Sequence, residues 1–199
     1  DTSCVTGAGM LNWDKDKVSG AFSLEILEKF GVQTYFLLTM DPFSFAGALN
    51  FQFNPGLQLG MGFVLTGIGG SLGINRGLSV DKLRTALYEG TLSSVLFVKN
   101  LQDNLDKVLE NLSVYYPYAD NQYYFGFLAQ ISWGELLKAD LGLFIQGPNF
   151  KLIIAGELSI KVTSSLDSLL SINVSFMGGI ELSKGLFFDA SIHDSKFVG

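Results

Sequence analysis

Apolar residues recur at every second position in one segment of the chain after another. Phe43, Phe45, Leu49, Phe51 and Phe53 alternate with Ser44, Ala46, Ala48, Asn50 and Gln52. Leu57, Leu59, Met61, Phe63 and Leu65 continue the row against Gln58, Gly60, Gly62 and Val64. The rhythm returns in Tyr123, Phe125, Phe127, Ala129, Ile131 and Trp133, and again in Leu152, Ile154, Leu158, Ile160 and Val162. Leu170, Ile172, Val174 and Phe176 form a further row, and Leu186, Phe188, Ala190 and Ile192 close the series. A period of two predicts β-strands whose faces meet different surroundings. One apolar and one wetter face marks antiparallel sheet, because parallel strands are covered on both faces and read as unbroken apolar runs. The apolar rows are expected to be the buried ones.

Asn54-Pro55-Gly56 supplies turn chemistry, and Gly147-Pro148 and Gly178-Gly179 read as turns or bulges between these strands. The stretch from Leu24 to Phe30 reads as strand, because Lys29-Phe30-Gly31-Val32 looks like a hairpin. Two helices are predicted between the strands. One runs from about Val80 to Glu89, with Ser79 as N-cap, Asp81 in the first turn and Gly90 just past the end. The other runs from about Leu101 to Leu112, with Asn100 as cap and Leu101, Leu105, Val108, Leu109 and Leu112 on one stripe. The predicted fold is mainly β: one large, curved, mostly antiparallel amphipathic sheet, with two inserted helices covering one end or one face. Residues 1–199 read as a single domain, which this length supports with one core.

Composition changes the picture in one respect. Hydrophobic residues make up 48% and charged residues only 16%, against about 25% charged in ordinary soluble domains. That shortfall demands either deep burial or an apolar surface that meets something other than water. No charge stands between Asp41 and Arg76, yet the six glycines from Gly60 to Gly73 and the alternation itself argue against a transmembrane helix. An outer-membrane barrel fits poorly too, since helices interrupt the strands and aromatic girdles are not evident. A net charge of −6 argues against a nucleic-acid partner, which calls for basic stripes. Cys4 is the single cysteine, so no internal disulfide forms. The absence of an initiator Met and the strand-like end at Lys196-Phe-Val-Gly199 read as cuts from a longer protein.

Candidate chemistry is sparse. Gly69-Gly70-Ser71-Leu72-Gly73 is a literal G-x-S-x-G, with Asp167 and the lone His193 downstream in the order of an α/β-hydrolase triad. A nucleophile elbow needs a helix directly after its serine; here Gly73 and Gly77 postpone it to Val80, and βαβ alternation is missing. Alternation puts His193 on the polar face, where a solvated or hydrogen-bonded role is expected. Asn12, Asp14 and Asp16 begin like a calcium loop, but Lys17 and Ser23 occupy the sixth and twelfth positions, so a plain turn is expected. Gly67-Ile68-Gly69-Gly70 lacks the lysine and the spacing of a phosphate cradle. Arg76 is expected to pin its loop through a carboxylate or a carbonyl. No cofactor or metal is expected.

A series of ordered motifs carries a family resemblance: Gly62-Phe-Val-Leu-Thr-Gly-Ile-Gly-Gly-Ser-Leu-Gly-Ile-Asn-Arg76, Val80-Asp-Lys-Leu-Arg84, Gly90-Thr-Leu-Ser-Ser-Val-Leu-Phe97, Ile131-Ser-Trp-Gly134, Ala139-Asp-Leu-Gly142 and Asp194-Ser-Lys196. Over about residues 57 to 197 the chain resembles domain-of-unknown-function family 6603, found inside very large, multidomain, mainly bacterial proteins. In that family a proline often follows the Leu-Phe and the Trp-Gly; Val98 and Glu135 stand here. The resemblance implies excision from a larger chain and brings no catalytic residue.

The expected role is that of a non-catalytic structural or assembly module. Its apolar face would be buried against the rest of the parent chain or against copies of itself, and unpaired sheet edges would favour strand-to-strand association. The alternative is a groove for lipid or another hydrophobic ligand, lined by Phe43, Phe45, Phe51, Phe53, Leu59, Met61, Phe63, Phe125 and Phe127. A serine hydrolase using Ser71 and His193 is the third reading.

Overall fold

The computed structural model describes residues 5–26, 29–97, 105–163, 168–182 and 184–197. Five strands come first: β1 (Val5–Asp14), β2 (Lys17–Ile26), β3 (Phe30–Met40), β4 (Phe43–Gly60) and β5 (Phe63–Arg76). Three helices follow, α1 (Val80–Tyr88), α2 (Leu92–Leu96) and α3 (Leu105–Tyr115). Then come β6 (Tyr118–Trp133), β7 (Leu137–Gly147), β8 (Lys151–Thr163), β9 (Ser168–Glu181) and β10 (Gly185–Phe197). All ten strands form one antiparallel sheet in chain order, and it does not close into a barrel. The helical segment leaves β5 and returns to β6, which pair with each other, so the meander continues unbroken beneath it.

The local predictions fare well. The first helix starts after Ser79, carries Asp81 in its first turn and ends before Gly90, whose φ of +69° is the left-handed backbone that glycine adopts freely. The second predicted helix corresponds to α3; its expected start, with Asn100 and Leu101, lies outside the described residues. α2 is an addition, too short to show a helical period. Gly147-Pro148 opens the β7–β8 turn.

Two turn readings need correction. Asn54-Pro55-Gly56 lies within β4 at a register shift between Gln52 and Leu57, and the chain reverses instead at Met61 and Gly62. There φ is +54° and +83°, the left-handed pair that a two-residue hairpin loop needs. Gly178-Gly179 sits inside β9, where Gly178 pairs with Phe188 and Gly179 with Phe187. Bare backbone at those positions receives the two rings, which pack where a side chain would clash.

The larger correction concerns which face is buried. The helices lie on the face opposite the apolar rows, where small and polar residues (Ala46, Ala48, Ser71, Ala155) mix with the larger Tyr35, Tyr124, Leu128, Phe144, Ile153 and Met177. With Leu83, Ala86, Leu87, Leu92, Val95, Leu96, Val108 and Leu112 from the helices they make one continuous core. Volume explains the choice, since alanine and glycine on the inner face let leucines approach the sheet closely; Gly142, for example, lies against Leu96. Polar groups on this face tie the helices down. The Leu78 N–H donates to Gln146 Oε1 at 2.8 Å, and Arg76 Nη1 donates to the Tyr116 carbonyl at 2.8 Å. Ser93 donates to Asp140, and Arg84 Nε donates to Asp189 Oδ2 at 2.9 Å while its guanidinium stacks on Phe187. Arg76 thus pins its loop through a carbonyl, as expected.

Candidate functional site

The opposite face, the one built from the apolar rows, has no covering layer among the described residues. Strand register puts Trp13, Phe22, Phe36, Phe45, Leu72, Phe125, Leu143, Ile154, Phe176 and Phe188 on this outer side, together with their neighbours two positions away. Through these paired rows no charged side chain points outward. Thr34 and Tyr123 are the only hydroxyl-bearing residues there, and Thr34 Oγ1 already donates to the Ala48 carbonyl at 3.0 Å. Nine strand spacings of about 4.8 Å and rows of about 34 Å give a face of roughly 1,400 Å². The largest apolar patch on an ordinary monomer is about 300–600 Å².

A depression of about 590 Å³ lies near the middle of this face. Its floor is bare backbone at Gly47 and Gly70, and Phe36, Phe45, Leu49, Phe51, Leu72, Phe125 and Phe127 stand around it. Four of the predicted groove residues therefore come together: Phe45, Phe51, Phe125 and Phe127. The other five do not line it. Phe43 stands at the β3–β4 end of the sheet, and Phe53 leans on Phe30, with ring centroids 5.9 Å apart. Leu59, Met61 and Phe63 lie at the β4–β5 hairpin. Met61 is in the turn itself and almost wholly exposed, its carbonyl accepting from Trp133 Nε1 at 2.9 Å. Phe63 packs on the Trp133 ring at 6.1 Å. Phe36, Leu49 and Leu72 complete the ring of large side chains around the depression. Phe36 belongs to the row Phe30, Val32, Thr34, Phe36 and Leu38, whose alternation carried the signal that would have found it.

The polar residues singled out above occupy the inner face. Ser71 is buried mid-strand between Ala48 and Gly126, and its Oγ finds no hydrogen-bond partner among the described residues. No turn and no helix start adjoin it. Strands β6 to β9 separate it from His193 on β10, a distance of about 24 Å across five spacings. Asp167 lies outside the described residues. His193 instead meets Ser175, with Nε2 2.8 Å from Oγ, and Glu157, with Nε2 3.9 Å from Oε2. Asp14 and Asp16 flank the β1–β2 reversal, and Gly67 to Gly70 lie within β5. The inner face also packs three tyrosines. Burial pushes the Tyr35 hydroxyl up to about 12, with a smaller opposing effect from the neighbouring Asn50 side chain. Tyr116 and Tyr124, stacked with centroids 4.8 Å apart, are raised further by the same cause.

Among the described residues the outer apolar face is uncovered, and polar groups of the inner face anchor the helical segment. The family description matched by the chain is "Family of unknown function (DUF6603)", over residues 1–199. The chain belongs to this family. The match takes in the first five strands whole, well beyond the stretch from residue 57 onward that carries the motifs. No curated protein and no solved structure matches the chain. No helix among the described residues of this DUF6603 member is long and apolar enough to cross a membrane.

Proposed function

We propose that this DUF6603 chain is a non-catalytic structural module that works by presenting its outer face to a covering apolar surface, either elsewhere in a parent protein or on a neighbouring copy. One observation carries the reading: ten paired strands put no charged side chain on a face that the chain's own helices leave bare. At about 25 cal/mol per Å², covering roughly 1,400 Å² is worth on the order of 30 kcal/mol gross. The freedom lost on association costs about 4–15 kcal/mol, so burial of even half the face favours assembly. Part of the inner polar set supports the same view, because Arg76, Asp140, Gln146 and Asp189 are engaged in holding the helical segment.

The test is the state of the purified chain in detergent-free buffer, followed by light scattering over a hundredfold dilution with phospholipid measured by mass spectrometry. The reading expects a mass above that of one chain, rising with concentration, and no stoichiometric lipid. A monomer at every concentration would refute a neighbouring copy as the covering surface, and a monomer loaded with lipid would refute the structural reading altogether. A second reading is supported by the depression over Gly47 and Gly70, whose lining has the apolar character of an acyl-chain site but offers no charged anchor for a headgroup. One lipid bound per chain in the same experiment favours that reading.

A further inference from the structure

We propose that the occupant of the outer face is a second copy of this chain, stacked face to face about a two-fold axis, with Phe127 of each copy seated in the Gly47–Gly70 depression of the other. This inference rests on the reading of the face as an assembly surface, and it names the partner and the contact.

Three observations select the partner. The first is area: a stable interface takes about 800 Å² from each side, and the face offers roughly 1,400 Å². The second is polarity. An ordinary interface carries about ten direct hydrogen bonds, whereas Thr34 and Tyr123 bring the only outward hydroxyl groups here, and Thr34 is already bonded within the sheet. Such a surface matches the inside of a two-layer sheet sandwich, whose facing sides are apolar throughout. The third separates protein from bilayer. The outer edges of β1 and β10 pair with no other described strand, leaving their outward N–H and C=O groups open. Open edges are not tolerated in hydrocarbon, where those groups find no water. In a sandwich the edges stay at the rim, in solvent.

The contact follows from the relief of the face. A two-fold interface is self-complementary, so it requires a projection and a recess on the same surface. Phe127 is 61% exposed, more than any other outward hydrophobic side chain in the paired rows of β3 to β9. It stands directly beside the depression. A ring in that recess would fill space that Gly47 and Gly70 leave vacant and would bury the most exposed aromatic side chain of strands β3 to β9 near the centre of the face, where binding energy concentrates.

Sedimentation equilibrium of three proteins in detergent-free buffer tests the proposal: the wild-type chain, Phe127→Asp and Gly70→Leu. The second variant aims its side chain into the recess from a backbone with room for it to start, since a Cβ at Gly70 meets only the Gly126 carbonyl, at 3.5 Å. Circular dichroism establishes that both variants keep the sheet. The expected result is a wild-type dimer, with the dimer Kd raised about tenfold or more by each substitution. Wild-type self-association that neither variant weakens overturns the Phe127 contact and leaves the assembly reading standing. A monomeric wild type overturns the second copy as occupant together with the Phe127 contact, and one carrying phospholipid overturns the assembly reading as well.

Discussion

Ile153 and Ile154 are adjacent on β8, identical in chemistry and opposite in orientation, so they ask directly which face of the sheet is the core. Ile153 is fully buried against the helices, in the cluster that includes Phe144 and Met177, and Ile154 is 48% exposed on the outer face. Replacing Ile153 by alanine removes buried carbons and leaves a cavity, at a cost of about 2–5 kcal/mol. Replacing Ile154 removes the same carbons from a site open to solvent. With roughly half the burial, about 0.8 kcal/mol per methylene and no cavity, the cost is about 1 kcal/mol. Strand propensity changes equally in both and cancels. The expected Tm losses are about 4–20 °C for Ile153→Ala and about 2–4 °C for Ile154→Ala, using the scaling for a chain of this size. The assay is thermal and urea unfolding followed by circular dichroism, with all proteins at one low concentration because association would add stability to the outer face. A loss at Ile154 equal to or larger than that at Ile153 would place the core on the apolar rows and refute the assignment of faces.

Other consequences are equally accessible. Ser71→Ala should leave the fold intact or raise its stability by up to about 1–3 kcal/mol in urea melts, since it removes a buried hydroxyl that lacks a partner. Two glycines of the same G-x-S-x-G segment should part company. A Cβ on Gly73 runs into the Tyr124 ring and should cost about 1–3 kcal/mol, whereas Gly70→Ala should be neutral or stabilising by about 0.4–1 kcal/mol. Tyr35, Tyr116 and Tyr124 should ionise late in an ultraviolet titration, after the tyrosines that sit in solvent. The folded pKa of Tyr35 is about 12 against about 10 unfolded. The native state therefore holds its proton longer, and this contribution to stability is complete below pH 10 and lost between pH 10 and about 12. Simultaneous ionisation of all tyrosines near pH 10 without unfolding would contradict their burial.

Much of the architecture was legible in the residues themselves. Period-two alternation announces strands, because successive side chains point to opposite sides of a pleated backbone. The register confirms the predicted partition of β4, β6, β8 and β10 into two rows. The bounds of helix α1 were readable from Ser79, Asp81 and Gly90, since helix ends are set by local residues, although Ser79 makes no side-chain capping hydrogen bond. The turn at Met61 was not. Asn54-Pro55-Gly56 carries stronger turn residues, yet the pairing of β4 with β5 absorbs it as an irregularity and moves the reversal six residues onward. Nor did motif order reveal that Ser71 and His193 stand five strands apart, because that separation depends on where each strand takes its place in the sheet.

What the chain determined by itself was which residues share a face; what only the tertiary structure decided was which face the helices cover. Hydrophobicity favoured the rows of phenylalanine, leucine and isoleucine as the core, and the helices chose the other side. Packing against a sheet is decided by volume and by partners for polar groups as much as by apolar area. Ala46, Ala48, Gly142 and Ala155 leave room for leucines to settle, and Gln146, Asp140 and Asp189 offer bonds to the helical segment. Both properties become visible only when distant strands lie side by side. Period two labels the two faces of a strand alike in every copy of the pattern, and the burial of one of them is an outcome of assembly in three dimensions.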